Sequence, residues 1–492
     1  MWILWLLLAL GYSKEIWNVK VSNPRVFAIN HGVKYLDTVQ GYSIFESTRH
    51  TSNAFFETDG LYRDERKKQF KRSADPLFPQ QWHLHTLHIN QVHRTGRGVT
   101  VAIVDDGLEH THPDLHPNFD ASLSWDINHN RPDVTPSHYD GHGTSAAGVC
   151  CAAQGNGICG RGVAPDAKLI GLELISENTY DYQEAQAYSR NAGRIRIYSN
   201  SWGPEDSGRH MEAPGRITKR ALKRSGQIIV WAAGNGRQNQ DNINYDGYAN
   251  NPYTIAIGAV DHNGAQASYS EPGACLFAMA PSSGAGMGVT TTDLAGRYGY
   301  SRGLCTNQFG GTSSAAPLAA GIFALMLEEN PHLSWRDVMH IIVKTSKTGH
   351  THEMGFGVLD IPPLLEAAKT HTSVPPMAKR KSGVITVSAP IPDNGSWLVK
   401  RITVPNGLNF VEQIAVTVHM VHARHGQVLV QLGDSVLAEH RDDLHSGASV
   451  WTYTTVHEWG NSSNVWDFRI RDDTQDGFTG MLLSVSLTLF GY

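Results

Sequence analysis

Between about residue 75 and residue 370 the chain alternates short apolar, β-branched runs with stretches of helical period, and this alternation limits its fold more than any other feature of the 492 residues. Residues 99–104, 169–172, 195–198 and 228–232 are such runs, bounded by Gly, Asp or Asn, as expected of strands buried on both faces. Residues 180–191 and 216–224 read as helices between them. Strands that alternate with helices predict a mostly parallel sheet between helical layers, an α/β domain.

Past Thr372 the chain passes through Val374-Pro375-Pro376 and Lys379-Arg380-Lys381 and changes character. Residues 414–421, 428–432 and 482–489 alternate or run β-branched between turn residues, which predicts antiparallel strands and an all-β domain, a sandwich or jelly roll. A chain of this length exceeds one hydrophobic core, and 40% hydrophobic with 18% charged residues suits globular units. The net charge of −5 supplies no general basic field for phosphates, so nucleic acid is not an expected partner.

At the start, residues 2–10 form an apolar run followed by Gly11, Tyr12 and Ser13, which reads as a signal peptide over residues 1–13. No later stretch reaches the roughly 18 apolar residues of a membrane helix, so a soluble chain in the secretory lumen (Golgi) or outside the cell is expected. Residues 14–72 end in the charged stretch Arg66-Lys67-Lys68-Gln69-Phe70-Lys71-Arg72 before Ser73. An exposed basic run at this position reads as a processing site between Arg72 and Ser73 that separates a propeptide from the domains over residues 73–372 and 373–492. The five cysteines include no metal-type CxxC pair, and an odd number leaves at least one thiol unpaired.

Four short segments carry chemistry. Asp105 ends the run Val101-Ala102-Ile103-Val104, where a carboxylate is rigidly aimed. His142 stands between Gly141 and Gly143, ahead of small residues that predict a buried helix. Ser313 lies between Gly310-Gly311-Thr312 and the apolar run from Ala315, at the N-terminus of a helix whose free N–H groups favour a developing oxyanion. Asn235, in Trp231-Ala232-Ala233-Gly234-Asn235-Gly236, offers a side-chain amide to the same oxyanion. A nucleophilic Ser needs a neighbouring base and the base an orienting carboxylate, so Ser313, His142 and Asp105 form a candidate triad in the chain order Asp, His, Ser.

With these segments, Tyr198-Ser199-Asn200-Ser201-Trp202-Gly203-Pro204-Glu205-Asp206 and Asp246-Gly247-Tyr248 make the chain similar to the subtilase superfamily, and within it to the kexin/furin-type proprotein convertases. Asp246 to Tyr253 and Ile257-Gly258-Ala259-Val260-Asp261 resemble the proprotein convertase 7 branch. The resemblance implies a signal, an inhibitory propeptide, a subtilisin-like domain and a P domain in a monomer that cuts proprotein substrates after basic pairs. It further implies that Asp206 and Asp246 receive the basic residue before the cut, that Asp106 meets the next one back, and that Glu184, Glu212 and Tyr248, with Glu205 nearby, receive one further out.

Calcium is implied at two sites, one using Asp75, Asp114 and Asn156, the other Asp206, Asp241 and Glu271; a third would use Asp126 and Asp133, but Arg131 stands where the family has an acid. Cys159 and Cys305 match a family disulfide, whereas the expected partner of Cys275 falls at Ile243. Tyr139 replaces an acid of the second basic pocket, and residues 214–227 and 345–355 are shorter than in the family. Two other readings stay open: a secreted subtilisin-like protease of broader specificity, and an inactive binding protein that keeps the fold.

Overall fold

The computed structural model describes residues 74–137 and 139–492, together with four short strands nearer the N-terminus. The chain divides into two compact units, Met1–Lys71 and Arg72–Tyr492. In the first, β1 (Glu15–Val19), β2 (Lys34–Val39), β3 (Tyr42–Ser47) and β4 (Tyr62–Asp64) form a sheet of order β2-β3-β1-β4. The apolar run 2–10 and the Arg72-Ser73 junction lie outside the described residues.

The second unit begins with a parallel sheet of seven strands, β5 (Thr100–Asp105), β6 (Trp125–Asp126), β7 (Lys168–Glu173), β8 (Ile197–Asn200), β9 (Ile228–Ala232), β10 (Ile255–Val260) and β11 (Ala278–Pro281). Their order is β11-β10-β9-β8-β5-β7-β6, and every neighbouring pair is parallel. The predicted runs fall on β5, β7, β8 and β9, although the third begins at Ile197, two residues later than expected. Because the chain leaves β5 for the far edge and returns on its other side, the order reverses around β5. In open α/β sheets ligands bind outside the strand C-termini at such a switch point.

Around this sheet lie α1 (Trp82–Thr86), α2 (His142–Cys151), α3 (Asp181–Ser189), α4 (Arg216–Ser225), α5 (Thr312–Glu329), α6 (Trp335–Thr345) and α7 (Ile361–Thr370). Small residues let α2 pack tightly, and Gly143 to Cys151 are all buried. A Cβ at Gly143 would stand 2.2 Å from the Gly107 carbonyl oxygen, so only glycine lets this helix approach the turn after β5. Helix α5 is apolar nearly all round and runs through the core, as a helix without a polar face must. A hairpin of β12 (Val289–Gly296) and β13 (Gly303–Phe309) leads into it.

The C-terminal part is all-β. Strands β14 (Ala378–Lys381), β15 (Ile385–Ile391), β17 (Val411–His422), β20 (Gly447–Thr455) and β22 (Gly480–Gly491) form one sheet. Strands β16 (Leu398–Thr403), β18 (Val428–Leu432), β19 (Ser435–Ala438) and β21 (Val465–Asp472) form the other. All pairings are antiparallel, and Val416, Leu487, Val430 and Phe468 share the core between the sheets. The two domains of this unit are locked together: Arg336 of α6 holds Glu412 of β17 in a buried pair with Nε to Oε2 at 2.8 Å, and His340 reaches Glu412 Oε1 at 2.7 Å.

Cys159 is bonded to Cys305, which ties the loop after α2 to β13, and Cys275 is a buried free thiol. The sulfurs of the neighbours Cys150 and Cys151 meet within the core. Among the described residues no helix is long and apolar enough to cross a membrane.

Candidate active site

Asp105 ends β5 at the switch point, His142 begins α2, and Ser313 sits in the first turn of α5. Each is therefore held at the end of a buried element. His142 Nδ1 lies 2.8 Å from Asp105 Oδ1, which fixes the imidazole with Nε2 turned away from the carboxylate. Asp105 is buried and its Oδ2 has no hydrogen-bond partner, so its charge acts mainly on the ring. Asp106 accepts the first amides of α2, His142 N at 3.1 Å and Gly143 N at 2.7 Å, as an anion at a helix N-terminus does.

Burial and the neighbouring Asp105 push the Asp106 carboxyl up to about 7. Burial opposes protonation of His142, but Asp105 and Asp106 outweigh it and the imidazole is raised above its ordinary value. The Ser313 hydroxyl is turned to the Ser201 carbonyl at 3.5 Å, and no hydrogen bond joins it to His142. Catalytic hydrogen bonds are often loose before substrate arrives.

Gly311 precedes Thr312 with φ +68, a left-handed turn that brings the start of α5 against Asn235. Asn235 Oδ1 accepts from Thr312 N at 2.9 Å and Thr312 Oγ1 at 3.1 Å. Its amide group is thereby directed away from α5, toward Asp206 Oδ2 at 3.4 Å. Ser313, Asn235, Asp206 and Asp246 all line one cavity of about 210 Å³, walled by Ser201 to Pro204. Burial raises Asp246 to about 8, with the Tyr248 and Ala249 amides opposing, and burial likewise raises Asp206.

The other acids of the predicted pockets separate into buried and exposed groups. Glu184 is buried, accepts from the Tyr248 hydroxyl at 2.9 Å, and leaves Oε2 without a partner. Glu212 is exposed, although its backbone bridges to Asp246. Glu205 is exposed and faces His210 at 3.3 Å.

Asp206, Asp241 and Glu271 meet in a second small cavity beside Asp246. Burial raises all three; next in order, Asp241 raises Glu271 and the Asn235 amide opposes at Asp206. A Cβ at Gly236 would lie 2.6 Å from Asp241 Cβ and 2.8 Å from Glu271 Oε1, so glycine keeps this cradle open. Crowded buried carboxylates around an open cradle are a donor set that fits a hard cation. Arg441 of the β domain, however, already places Nη1 3.2 Å from Asp241 Oδ1, a partner that local sequence did not signal.

At the other predicted cation site, Asp75 accepts the amides of Gly155, Asn156 and Gly157 at 2.7, 3.0 and 3.2 Å. Asn156 Nδ2 donates to Asp114 Oδ1 at 2.8 Å, and the buried Asp114 Oδ2 is orphaned. Burial lifts Asp114 to about 7, and that orphaned oxygen fits a cation ligand. Asp126 and Asp133 do not converge. Asp133 is exposed and turned to Thr135, while Arg131 Nε holds Asp126 Oδ2 at 2.7 Å. Asp126, His129 and Glu173 instead bring their ligand atoms within 4.8 Å of one another, with Glu173 placed by its pairing opposite Asp126 across β6 and β7.

The subtilase family profile matches residues 96–357, and the proprotein convertase P-domain profile matches residues 411–489. Human proprotein convertase subtilisin/kexin type 7 is 38% identical over 86% of this chain and 61% of its own length. Rat (Rattus norvegicus) furin is 34% identical over 86% of this chain and 58% of its own. The chain thus spans about three fifths of the curated relatives it matches. The crystal structure of the serine protease of Aeromonas sobria superposes with a TM-score of 0.78 at 22% identity, covering 87% of this chain and 97% of that one. That likeness concerns the fold.

Proposed function

From the premise that the chain belongs to the subtilase family and carries a proprotein convertase P domain, we propose that it is a calcium-dependent serine endopeptidase of the secretory pathway that cleaves proprotein precursors after paired or multiple basic residues. The observation that carries this reading is the cavity in which Ser313 and Asn235 stand beside Asp206 and Asp246. A substrate Arg or Lys that enters it meets two carboxylates, and its carbonyl then lies between the nucleophile and the amide. His142 Nε2 takes the Ser313 proton as Oγ attacks the carbonyl carbon, and Asp105 holds Nδ1–H and stabilises the imidazolium. Asn235 Nδ2 and the start of α5 donate to the oxyanion. His142 then gives the proton to the leaving amine as the C–N bond breaks, and a water deprotonated by the same ring hydrolyses the acyl ester and restores the Ser313 hydroxyl.

Calcium, when bound at Asp206, Asp241 and Glu271 and at Asp75, Asp114 and Asn156, supplies positive charge to these buried oxygens, in addition to the guanidinium of Arg441 at Asp241. Asp106, Glu184, Glu205, Glu212 and Tyr248 receive the basic residues further from the cut, and the propeptide ending at Arg72 acts as an inhibitor until it is cut. Hydrolysis of a fluorogenic Arg-Val-Lys-Arg peptide by the purified chain tests the proposal, with Ser313→Ala as control. Cleavage after the final Arg that the control lacks is expected; cleavage with no preference for Arg over norleucine would reject the basic specificity.

A further inference from the structure

Helix α4 carries Arg216, Lys219, Arg220, Lys223 and Arg224 within ten residues and no acid. All five are exposed, and only Thr218 and Leu222 are buried. In a chain of net charge −5 this concentration is not a by-product of a basic composition. The five recur at i, i+3 and i+4, spacings at which like charges destabilise a helix. Among the described residues, none of the five forms an ion pair. Asp181, the carboxylate on which Lys219 acts, is committed to the helix N-terminus through Ile217 N and Thr218 N, both at 2.9 Å.

Beside this face opens a groove of about 650 Å³ between the two domains, shared by Lys219 and Lys223 of α4, Asn250 and Tyr253 of the loop before β10, and Trp451 and Thr452 of β20. Trp451 Nε1 donates to the Asn244 carbonyl at 2.9 Å, which holds the indole in place. Lys379 adds a cation on the Tyr253 side, its Nζ 4.9 Å from that ring's centre. The groove shares no lining residue with the cavity that holds Ser313.

We propose that this groove and the basic face of α4 bind a sulfated polysaccharide. Cations repeated on successive helical turns, about 5.4 Å apart, suit a ligand with repeated anions rather than a single one. Aromatic rings beside amide and hydroxyl groups suit sugar rings, whose faces are apolar and whose edges carry hydroxyls. An anionic membrane would need a convex apolar face to insert, and here the wall is concave, with Ile217 and Val450 the large exposed apolar side chains near it.

The test is binding of the full chain to immobilised heparin and to fully desulfated heparin at near-physiological salt, with phosphatidylserine vesicles and polyglutamate as competing ligand classes. Heparin should bind, and desulfated heparin should not. Lys219→Glu combined with Lys223→Glu should weaken heparin binding by about tenfold or more, because the reversed charges lie well within a Debye length of the ligand. Arg97→Glu with Lys347→Glu makes the same change in net charge at two exposed sites and should stay within about twofold. Equal melting temperatures establish that both pairs leave the fold intact. No binding of heparin, an equal loss in the control pair, equal binding of desulfated heparin, or preference for vesicles or polyglutamate would overturn the proposal.

Discussion

Replacing Asp246 by Asn removes one ionisable carboxyl from the cavity beside Ser313 and changes little else. Asp246 Oδ1 accepts from Tyr248 N at 2.7 Å and Ala249 N at 3.4 Å, and an asparagine carbonyl in that place accepts both. Oδ2 faces Gly203, whose missing side chain leaves space for the amide. A guanidinium entering the cavity leaves water for Asp206 and Asp246, so the variant gives it one carboxylate in place of two. Truncating one partner of a buried, hydrogen-bonded charge pair costs about 2–5 kcal/mol. Because Asp206 remains, the lower half of that range applies, about 2–3 kcal/mol, or a fall in kcat/KM of about 30- to 150-fold on Arg peptides. A matched norleucine peptide brings no charge to pair and should lose less than about threefold. Wild type and variant are compared on both peptides at one calcium concentration. Equal fractional losses would refute the pairing and assign Asp246 to the fold or the neighbouring cation cradle.

Asp106→Asn should lower the pKa of His142, since Asp106 is one of the two charges that raise it, and the acid limb of kcat/KM should move to lower pH on a peptide without a second basic residue. An unchanged or raised limb would contradict the electrostatic reading. Glu412→Ala strands Arg336 without its buried partner, a loss of about 3–5 kcal/mol, and thermal unfolding should show a melting point lower by several degrees. Exhaustive chelation should abolish turnover and added calcium restore it, because Asp206, Asp241 and Glu271 repel one another in an empty cradle; full activity in chelator would remove calcium from the account.

Much of this arrangement is legible where local pattern and tertiary position coincide. The runs at β5, β7, β8 and β9 are apolar because both faces of a parallel sheet are covered; Asp105 ends one of these strands, and His142 and Ser313 stand at the starts of buried helices. What the sequence leaves unread depends on partners distant along the chain. Arg441 meets Asp241 across the domain seam, 200 residues apart, and neither neighbourhood hints at the other. Glu173 joins Asp126 because β6 and β7 are parallel neighbours, whereas Asp133, close in sequence, turns out to solvent with Thr135. Arg131 makes the same point from the opposite direction, because it supplies within the chain a positive charge at Asp126.

The proposed function stands or falls on Ser313 as the nucleophile and on a basic side chain in the adjacent cavity that brings substrate to it. A peptidyl diphenyl phosphonate with Arg at the position of the scissile residue tests both parts at once, because the reagent phosphonylates only an activated serine that its side chain delivers. Mass spectrometry of the labelled, digested protein should find one adduct, on Ser313, absent from His142→Ala and sharply reduced in Asp246→Asn. Labelling of another residue, or no labelling of a folded and calcium-loaded chain, would contradict the account.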